Sequence, residues 1–196
     1  MLDMKPATDG LAAITAAVAD DQLTLPTPCE QSTVADLLDH VDGLTTGFTL
    51  AATKRLPEGG SRPPQADGSR LGENWRARIA ESLARLAETW RDPTAWSGMT
   101  EIGGVPVPGE VCGLIAVNEI VVHAWDIAVP TGQPYDADPA HVEAARQFVQ
   151  SNVEQNPQGV DGLFGPAVTV AADAGPLDRL LGLTGRDPSW RPTAAH

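Results

Sequence analysis

Two histidines and one glutamate have the types and the spacing of a set of metal ligands. Glu119 and His123 are four residues apart, so in a helix both side chains leave the same face as neighbours. His40 lies in a separate segment that also has the pattern of an amphipathic helix. Two imidazoles and one carboxylate leave a coordination position open, which suits a catalytic metal better than a structural one. The residues therefore predict a metal centre, with zinc favoured and nickel or iron(II) as alternatives.

The apolar surroundings of Glu119 strengthen this prediction. Its neighbours in the sequence are Ile115, Ala116, Val117, Ile120, Val121 and Val122. A buried carboxylate needs a cation to balance its charge, and no Lys or Arg lies between Arg91 and Arg146. We therefore expect a metal ion to supply the positive charge. Two alternatives stay open: each histidine makes an ordinary hydrogen bond in the core, or Glu119 and His123 form a simple ion pair.

Two carboxylates lie close enough in sequence to orient the ligand imidazoles. Asp36 precedes His40 by four residues, and Asp126 follows His123 by three. A hydrogen bond from the second ring nitrogen of a ligand histidine to a carboxylate is common at metal sites. For Asp126, a solvated position on the helix surface is the slightly favoured alternative.

Further side chains are candidates for the pocket rather than for the ligand set. Cys112 lies two helical turns before Glu119, so it could line the pocket, although core packing is the more usual role of a cysteine. Trp125 could form a pocket wall. We expect the two remaining histidines, His141 and His196, to be solvated. The sequence assigns no catalytic residue.

Composition limits the classes of partner and compartment. The 196 residues and ordinary apolar fraction predict one domain over 1–196. The net charge of −13 argues against nucleic acid and anionic membranes as partners. No apolar run approaches the roughly 20 residues that span a bilayer, and the acidic N-terminus does not resemble a signal peptide. We therefore expect a cytoplasmic protein.

The two cysteines, Cys29 and Cys112, are too few for a disulfide framework. Neither belongs to a CxxC motif, which excludes a cysteine-rich zinc site. Cys29 lies between prolines and the second predicted helix, and we expect it to pack in the interior.

Apolar periodicity and capping residues predict a mainly helical fold. The expected helices cover about 9–20, 32–53 with Ser32 as the cap, 69–91, 108–129 opened by Pro108, 138–152 and 176–183. A small hairpin with a glycine turn is predicted within 97–107, and the Gly/Pro-rich stretch 57–68 is expected to be a mobile loop that closes over a substrate. Four long amphipathic helices favour a four-helix bundle with short extra helices, in which metal ligands project inward from facing helices.

Two segments around these ligands resemble signatures of a known family. The first is 27–30 followed by 34–41, the second is 118–128, and the tail 177–188 is similar to the ending of uncharacterised single-domain members. On these residues the chain resembles the DinB-like metal-binding bundle proteins, in the branch that contains the N-terminal domain of mycothiol-dependent maleylpyruvate isomerase. The resemblance implies a DinB-like four-helix bundle and a divalent metal, usually zinc, on His40, Glu119 and His123.

The resemblance also implies a reaction class. Family enzymes use a low-molecular-weight thiol, namely mycothiol, bacillithiol or glutathione, and a metal makes such a thiol acidic enough to react near neutral pH. This favours a thiol-dependent S-transferase or isomerase, with a small-molecule electrophile and mycothiol as partners. The isomerase itself has an additional C-terminal domain, whereas this sequence ends soon after the bundle, so we expect a different thiol transfer or different chemistry.

Two other function classes stay open. One is a thiol-independent metal enzyme, such as a hydrolase or a lyase/cyclase of secondary metabolism. The other is a non-catalytic metal-binding module. A homodimer is compatible with such a bundle, although the sequence does not indicate an interface.

Overall fold

The computed structural model describes residues 1–29, 32–56, 58–63, 65–160 and 164–192. The described helices are α1 (Lys5–Ala17), α2 (Val34–Thr53), α3 (Trp75–Thr89), α4 (Gly109–Ala128), α5 (Pro139–Gln155) and α6 (Pro176–Leu183). Strands β1 (Met99–Ile102) and β2 (Val105–Pro108) pair antiparallel. Short 3-10 turns lie at Asp20–Gln22, Gly68–Arg70 and Pro93–Trp96. The predicted mainly helical fold with a small hairpin is confirmed.

Helices α1 to α4 form the bundle, and α4 is its central member. α1 packs against α3 and α4, and α2 packs against the same two helices, so α1 and α2 occupy opposite corners. α5 packs on the outside of α4, and α6 packs on α5. The metal-ligand candidates therefore lie on two helices, α2 and α4, that contact each other directly.

The burial of α4 follows from its sequence. Every residue from 115 to 128 is buried, because α1 and α2 cover one side of this helix and α5 covers another. By length and composition α4 could also cross a membrane, with a mean hydropathy of 1.5, but 89% of that apolar window is buried inside the protein. Its polar residues therefore enter the core, where each must find a partner.

A capping box fixes the start of α2. Thr33 Oγ1 accepts a hydrogen bond from the Asp36 backbone N–H (3.2 Å), and Asp36 Oδ2 accepts one from the Thr33 N–H (2.8 Å). The cap is therefore Thr33 and not the predicted Ser32, because only Thr33 has an acidic residue three positions later to complete the box. The box sets the position of His40, which lies two turns into the helix.

Two other helix starts differ from the prediction. α1 begins four residues before the predicted start, because Pro6 is tolerated in the first turn of a helix and the earlier residues continue it. α3 begins at Trp75 rather than at Ser69. The turn Gly68–Arg70 is a separate element, and Gly72 has a φ of +67° that a continuous helix excludes.

Hydrogen bonds connect the loop between α2 and α3 to the hairpin and to α2, and its role as a mobile lid stays a prediction. The Ser61 N–H donates to Glu101 Oε1 on the hairpin (2.6 Å), and the Gly68 N–H donates to Asp36 Oδ1 at the start of α2 (2.7 Å). Pro57 and Pro64 lie outside the described residues. The described part of the loop is thus bound to both α2 and the hairpin.

His141 is buried, so the prediction that it is solvated is wrong. Its side chain is 2% exposed; Nδ1 lies 2.6 Å from Asp138 Oδ1, and Nε2 lies 2.8 Å from the Asp3 carbonyl oxygen. These contacts tie the start of α5 to the N-terminal residues. His196 lies outside the described residues.

Replacing Thr33 by Ala should destabilise the protein by about 1 kcal/mol, because the α2 cap would lose its side-chain acceptor. For a domain of this size, the expected fall in Tm is about 2–4 °C. Urea unfolding and a thermal melt measure both quantities. Thr46→Ala, an exposed position on the same helix, is the matched control and should change stability by less than about 0.5 kcal/mol. Equal effects of the two substitutions would contradict the role of the capping box.

Candidate metal centre

The structure brings His40, Glu119 and His123 together between α2 and α4. One ligand atom from each residue can be chosen so that all three lie within 4.8 Å of one another. The two imidazole rings meet edge to face, with centroids 5.1 Å apart and planes at 88°. The helical spacing of Glu119 and His123 and the packing of α2 on α4 together produce this arrangement.

Each ring nitrogen of His123 faces a buried carboxylate. Nε2 lies 3.0 Å from Glu119 Oε2, and Nδ1 lies 3.0 Å from Asp126 Oδ2. Burial alone would lower the pKa of His123, but the hydrogen bonds to Asp126 and Glu119 outweigh it and raise this pKa to about 9. Burial alone would raise the pKa of Glu119, whereas the hydrogen bond with His123 and the nearby positive charges hold it below its usual value. In the absence of a metal, the raised pKa of His123 therefore favours a protonated imidazole that balances the charges of Glu119 and Asp126.

Asp126 is fully buried, so the slightly favoured expectation that it is solvated is wrong. Its predicted contact with the candidate ligand His123 is present. Its exposed fraction is 0%, and Arg186 Nη2 lies 3.0 Å from Asp126 Oδ2. Burial works against ionisation of Asp126, but the charge of Arg186 and the hydrogen bond with His123 keep its pKa below the usual value. A side-chain cation reaches the site from a distant part of the chain: Arg186, 60 residues beyond Asp126, pairs with that carboxylate, and its charge also helps to lower the pKa of Glu119.

The end of α6 positions Arg186. Gly185 has a φ of +82°, which reverses the chain after α6. The Arg186 N–H then donates to the Leu181 carbonyl (2.9 Å), and Nη1 donates to the Thr184 carbonyl (2.8 Å). The side chain is 12% exposed and lies along the site. The tail motif was noted in the sequence, but its contact with α4 depends on tertiary packing that no local pattern reveals.

A cavity of about 700 Å³ opens directly over the three candidate ligands. This volume is in the range of small-molecule sites. His40, Glu119 and His123 line one side. The other walls come from three segments: the loop 27–29, residues 160 and 164–168, and residues 184–190 that follow α6, with Thr184 and Arg186 as polar groups and Phe164 and Trp190 as apolar ones.

Two of the predicted pocket residues, Cys112 and Trp125, lie in the core. Cys112 is completely buried, and burial raises the pKa of its thiol to about 12; it lies about 10 Å along the helix axis from Glu119, so it contacts the core and not the cavity. Trp125 is six residues past Glu119, about 120° around the helix, and is also buried in the core. Asp36 caps α2 and accepts a hydrogen bond from the Gly68 N–H; its role in orienting His40 stays a prediction.

Cys29 lines the cavity, although core packing was expected for it. Its side chain is half-buried. Burial and the negative charges of Asp126 and Glu119 raise the pKa of the thiol, against the opposing charge of Arg186. The sequence signal that could have placed it is its position just before α2, where Pro26 and Thr33 form an antiparallel bridge at the start of that helix.

Comparison with known proteins identifies the first four helices. A family model described as the mycothiol maleylpyruvate isomerase N-terminal domain matches residues 4–128, which include all three candidate ligands. Two uncharacterised proteins from two strains of Mycobacterium tuberculosis are each 28% identical over 180 residues, covering 92% of this chain and 93% of the relative.

Two solved structures have the same fold. The crystal structure of a mycothiol-dependent maleylpyruvate isomerase superposes with a TM-score of 0.60 and 19% identity, covering 79% of this chain and 68% of that one. A mutant of this isomerase with a histidine replaced by alanine gives a TM-score of 0.54 with the same identity and coverage. The predicted DinB-like bundle is therefore confirmed.

The two cysteines should differ sharply in reactivity. In the native protein, we expect a disulfide reagent such as dithionitrobenzoate to modify Cys29 only, and more slowly than a free thiol because burial raises its pKa. The thiol count, followed by absorbance, should rise from about one to about two on denaturation, since only Cys112 is fully enclosed. Cys29→Ala should abolish the native reaction, and the matched Cys112→Ala should retain it. A native reaction that persists in Cys29→Ala would contradict this placement.

Proposed function

The chain belongs to the family described as the mycothiol maleylpyruvate isomerase N-terminal domain, and on that premise we propose that it is a metal-dependent S-transferase or isomerase that uses a low-molecular-weight thiol. One observation carries the proposal: His40, Glu119 and His123 meet beneath a cavity large enough for a thiol and a small electrophile. The known relatives that share the fold support mycothiol as the thiol, because the solved structures are of a mycothiol-dependent enzyme.

The three residues fit a divalent metal, with zinc as the proposed ion. Two imidazoles and one carboxylate are a usual ligand set of catalytic zinc, with one position left for a substrate. In a tetrahedral zinc site, ligand atoms lie about 3.4 Å apart, so small side-chain rotations would bring these atoms, all within 4.8 Å of one another, to that spacing. Nickel and iron(II) accept the same donors.

The charges of the surrounding residues suit a divalent cation and an anionic partner. With neutral imidazoles, the two carboxylates of Glu119 and Asp126 against the one guanidinium of Arg186 leave a net charge of −1 at the site. A divalent ion would turn this into a net charge of +1. The floor of the cavity would then attract the sulfur of an ionised thiol, despite the acidic charge of the chain as a whole.

Asp126 fixes the state of His123. Its carboxylate lies 3.0 Å from Nδ1, so with a neutral, metal-binding imidazole it would accept the Nδ1–H hydrogen bond and leave the Nε2 lone pair, on the side of Glu119, for the ion. Phe164 and Trp190 contribute apolar surface to the cavity walls. The chain thus supplies candidate ligands and a cavity with both polar and apolar walls.

The proposed reaction is the addition of a thiol to an electrophilic carbon–carbon double bond. When bound, a divalent metal lowers the pKa of a thiol and so favours its reactive thiolate form. A C–S bond forms at one carbon, and a proton is added at its neighbour. A transferase releases this adduct. An isomerase breaks the same C–S bond after rotation about the carbon–carbon bond, with loss of a proton from the neighbouring carbon, and so returns the thiol and a double bond of the other geometry.

Cobalt(II) substitution should reveal thiol binding directly. We expect added mycothiol to produce a sulfur-to-cobalt charge-transfer band in the near ultraviolet, because the open position of a three-ligand site accepts the sulfur. The same titration of Cys29→Ala separates the added thiol from the protein's own cavity thiol. His123→Ala should give no band. Consumption of mycothiol with a panel of electrophiles would then identify the reaction.

Other outcomes would point to other functions. A cobalt spectrum that mycothiol leaves unchanged would contradict the thiol proposal. Turnover without any thiol would then favour a hydrolase or a lyase/cyclase, whereas metal binding without conversion of any electrophile would favour a non-catalytic module.

A further inference from the structure

One wall of the cavity lies outside the part of the chain that the family model matches. That part ends at residue 128, whereas residues 164–190, here called the C-terminal segment, contribute Phe164, Arg186 and Trp190 to the cavity. The segment includes α6. A hydrogen bond from the Val168 N–H to the carbonyl of Gly182 in α6 (2.8 Å) joins the part before this helix to the helix itself. It therefore covers the candidate metal centre as one folded unit.

A continuous chain of polar contacts connects this segment to a candidate ligand. His123 Nδ1 lies 3.0 Å from Asp126 Oδ2, and the same oxygen lies 3.0 Å from Arg186 Nη2. Arg186 Nε is 3.4 Å from the other oxygen, Asp126 Oδ1. The guanidinium thus faces both carboxylate oxygens, in the fork geometry that arginine favours.

We propose that Arg186 is a positioning residue that acts through Asp126 on His123, and so couples docking of the C-terminal segment to metal binding. This inference rests on the proposed function, in that it takes His123 to be a metal ligand. With the segment docked, Arg186 holds the Asp126 carboxylate in the orientation that faces His123 Nδ1. When the segment is undocked, the carboxylate can rotate and the imidazole loses its support.

The burial of these groups makes the coupling strong enough to measure. Asp126 is fully buried, and the side chain of Arg186 is 12% exposed, so water cannot readily replace either partner. Hydrogen-bond partners that orient metal-ligating histidines are typically worth 10–100-fold in metal affinity. Arg186 also repels a cation, an effect of opposite sign. We expect orientation to prevail, because the adjacent Asp126 carboxylate already neutralises the guanidinium.

The coupling must act in both directions. If docking of the segment raises metal affinity, then metal binding stabilises the docked segment by the same free energy. Zinc should therefore slow amide hydrogen exchange within residues 164–190.

The test is zinc affinity, measured by competition with a chromophoric chelator, in the parent protein and in Arg186→Gln. We expect the dissociation constant of Arg186→Gln to rise about tenfold or more. Arg186→Lys keeps the charge but not the fork, and should recover part of the loss. Arg179→Gln is the matched control, because Arg179 lies in the same segment, is exposed, and donates to the carbonyls of Ala172 and Ala174. The zinc affinity of this variant should stay within about twofold of the parent.

Each outcome separates this inference from the proposed function. A parent protein that binds no zinc would overturn both. A parent that binds zinc while Arg186→Gln binds it equally well or more tightly would overturn only the role of Arg186. A thermal melt of the metal-free variants reports any purely structural role, which would lower Tm without changing zinc affinity. Zinc-induced protection of residues 164–190 that disappears in Arg186→Gln would support the coupling.

Discussion

The structure depends on how two carboxylates are accommodated in its most buried helix. Glu119 and Asp126 lie on α4, where every residue from 115 to 128 is removed from solvent. An isolated carboxylate in such a place would cost several kcal/mol. His123 stands between them at hydrogen-bond distance from both. The bundle therefore concentrates negative charge around one imidazole, and the remaining polar features of the site balance that charge.

Two parts of the chain provide this balance. From α2, His40 meets His123 edge to face, and from the turn after α6, Arg186 pairs with Asp126. The first contact belongs to the bundle that the family model matches, and the second belongs to the segment that follows it. The candidate ligand set and the cover of its cavity thus come from different parts of the sequence, and the ion pair between Arg186 and Asp126 joins them.

Local patterns in the sequence predicted most of the fold and the central part of the site. The periodicity of α2 and α4 placed His40, Glu119 and His123 on helices, and packing of those helices brings them together. The start of α2 was wrong by one residue because Ser32 and Thr33 are both good caps and only the box with Asp36 decides between them. Arg186 was missed for a different reason, because it reaches the cavity through a contact between segments distant in sequence. Cys29 was assigned to the core, although its position just before α2 could have placed it at the cavity. Cys112 and Trp125 were placed in the pocket from their nearness in sequence, whereas axial distance and helix rotation remove them from it.

Metal content tests the central claim most directly. Elemental analysis would compare the parent protein, purified without an affinity tag, with His40→Ala and with His141→Gln, which alters a histidine outside the site. The account predicts about one equivalent of zinc or nickel in the parent and in His141→Gln, and almost none in His40→Ala, because two remaining protein ligands hold a divalent ion weakly. A parent that contains no metal and takes up neither added zinc nor added nickel would contradict the account, as would a His40→Ala protein with the full metal content of the parent.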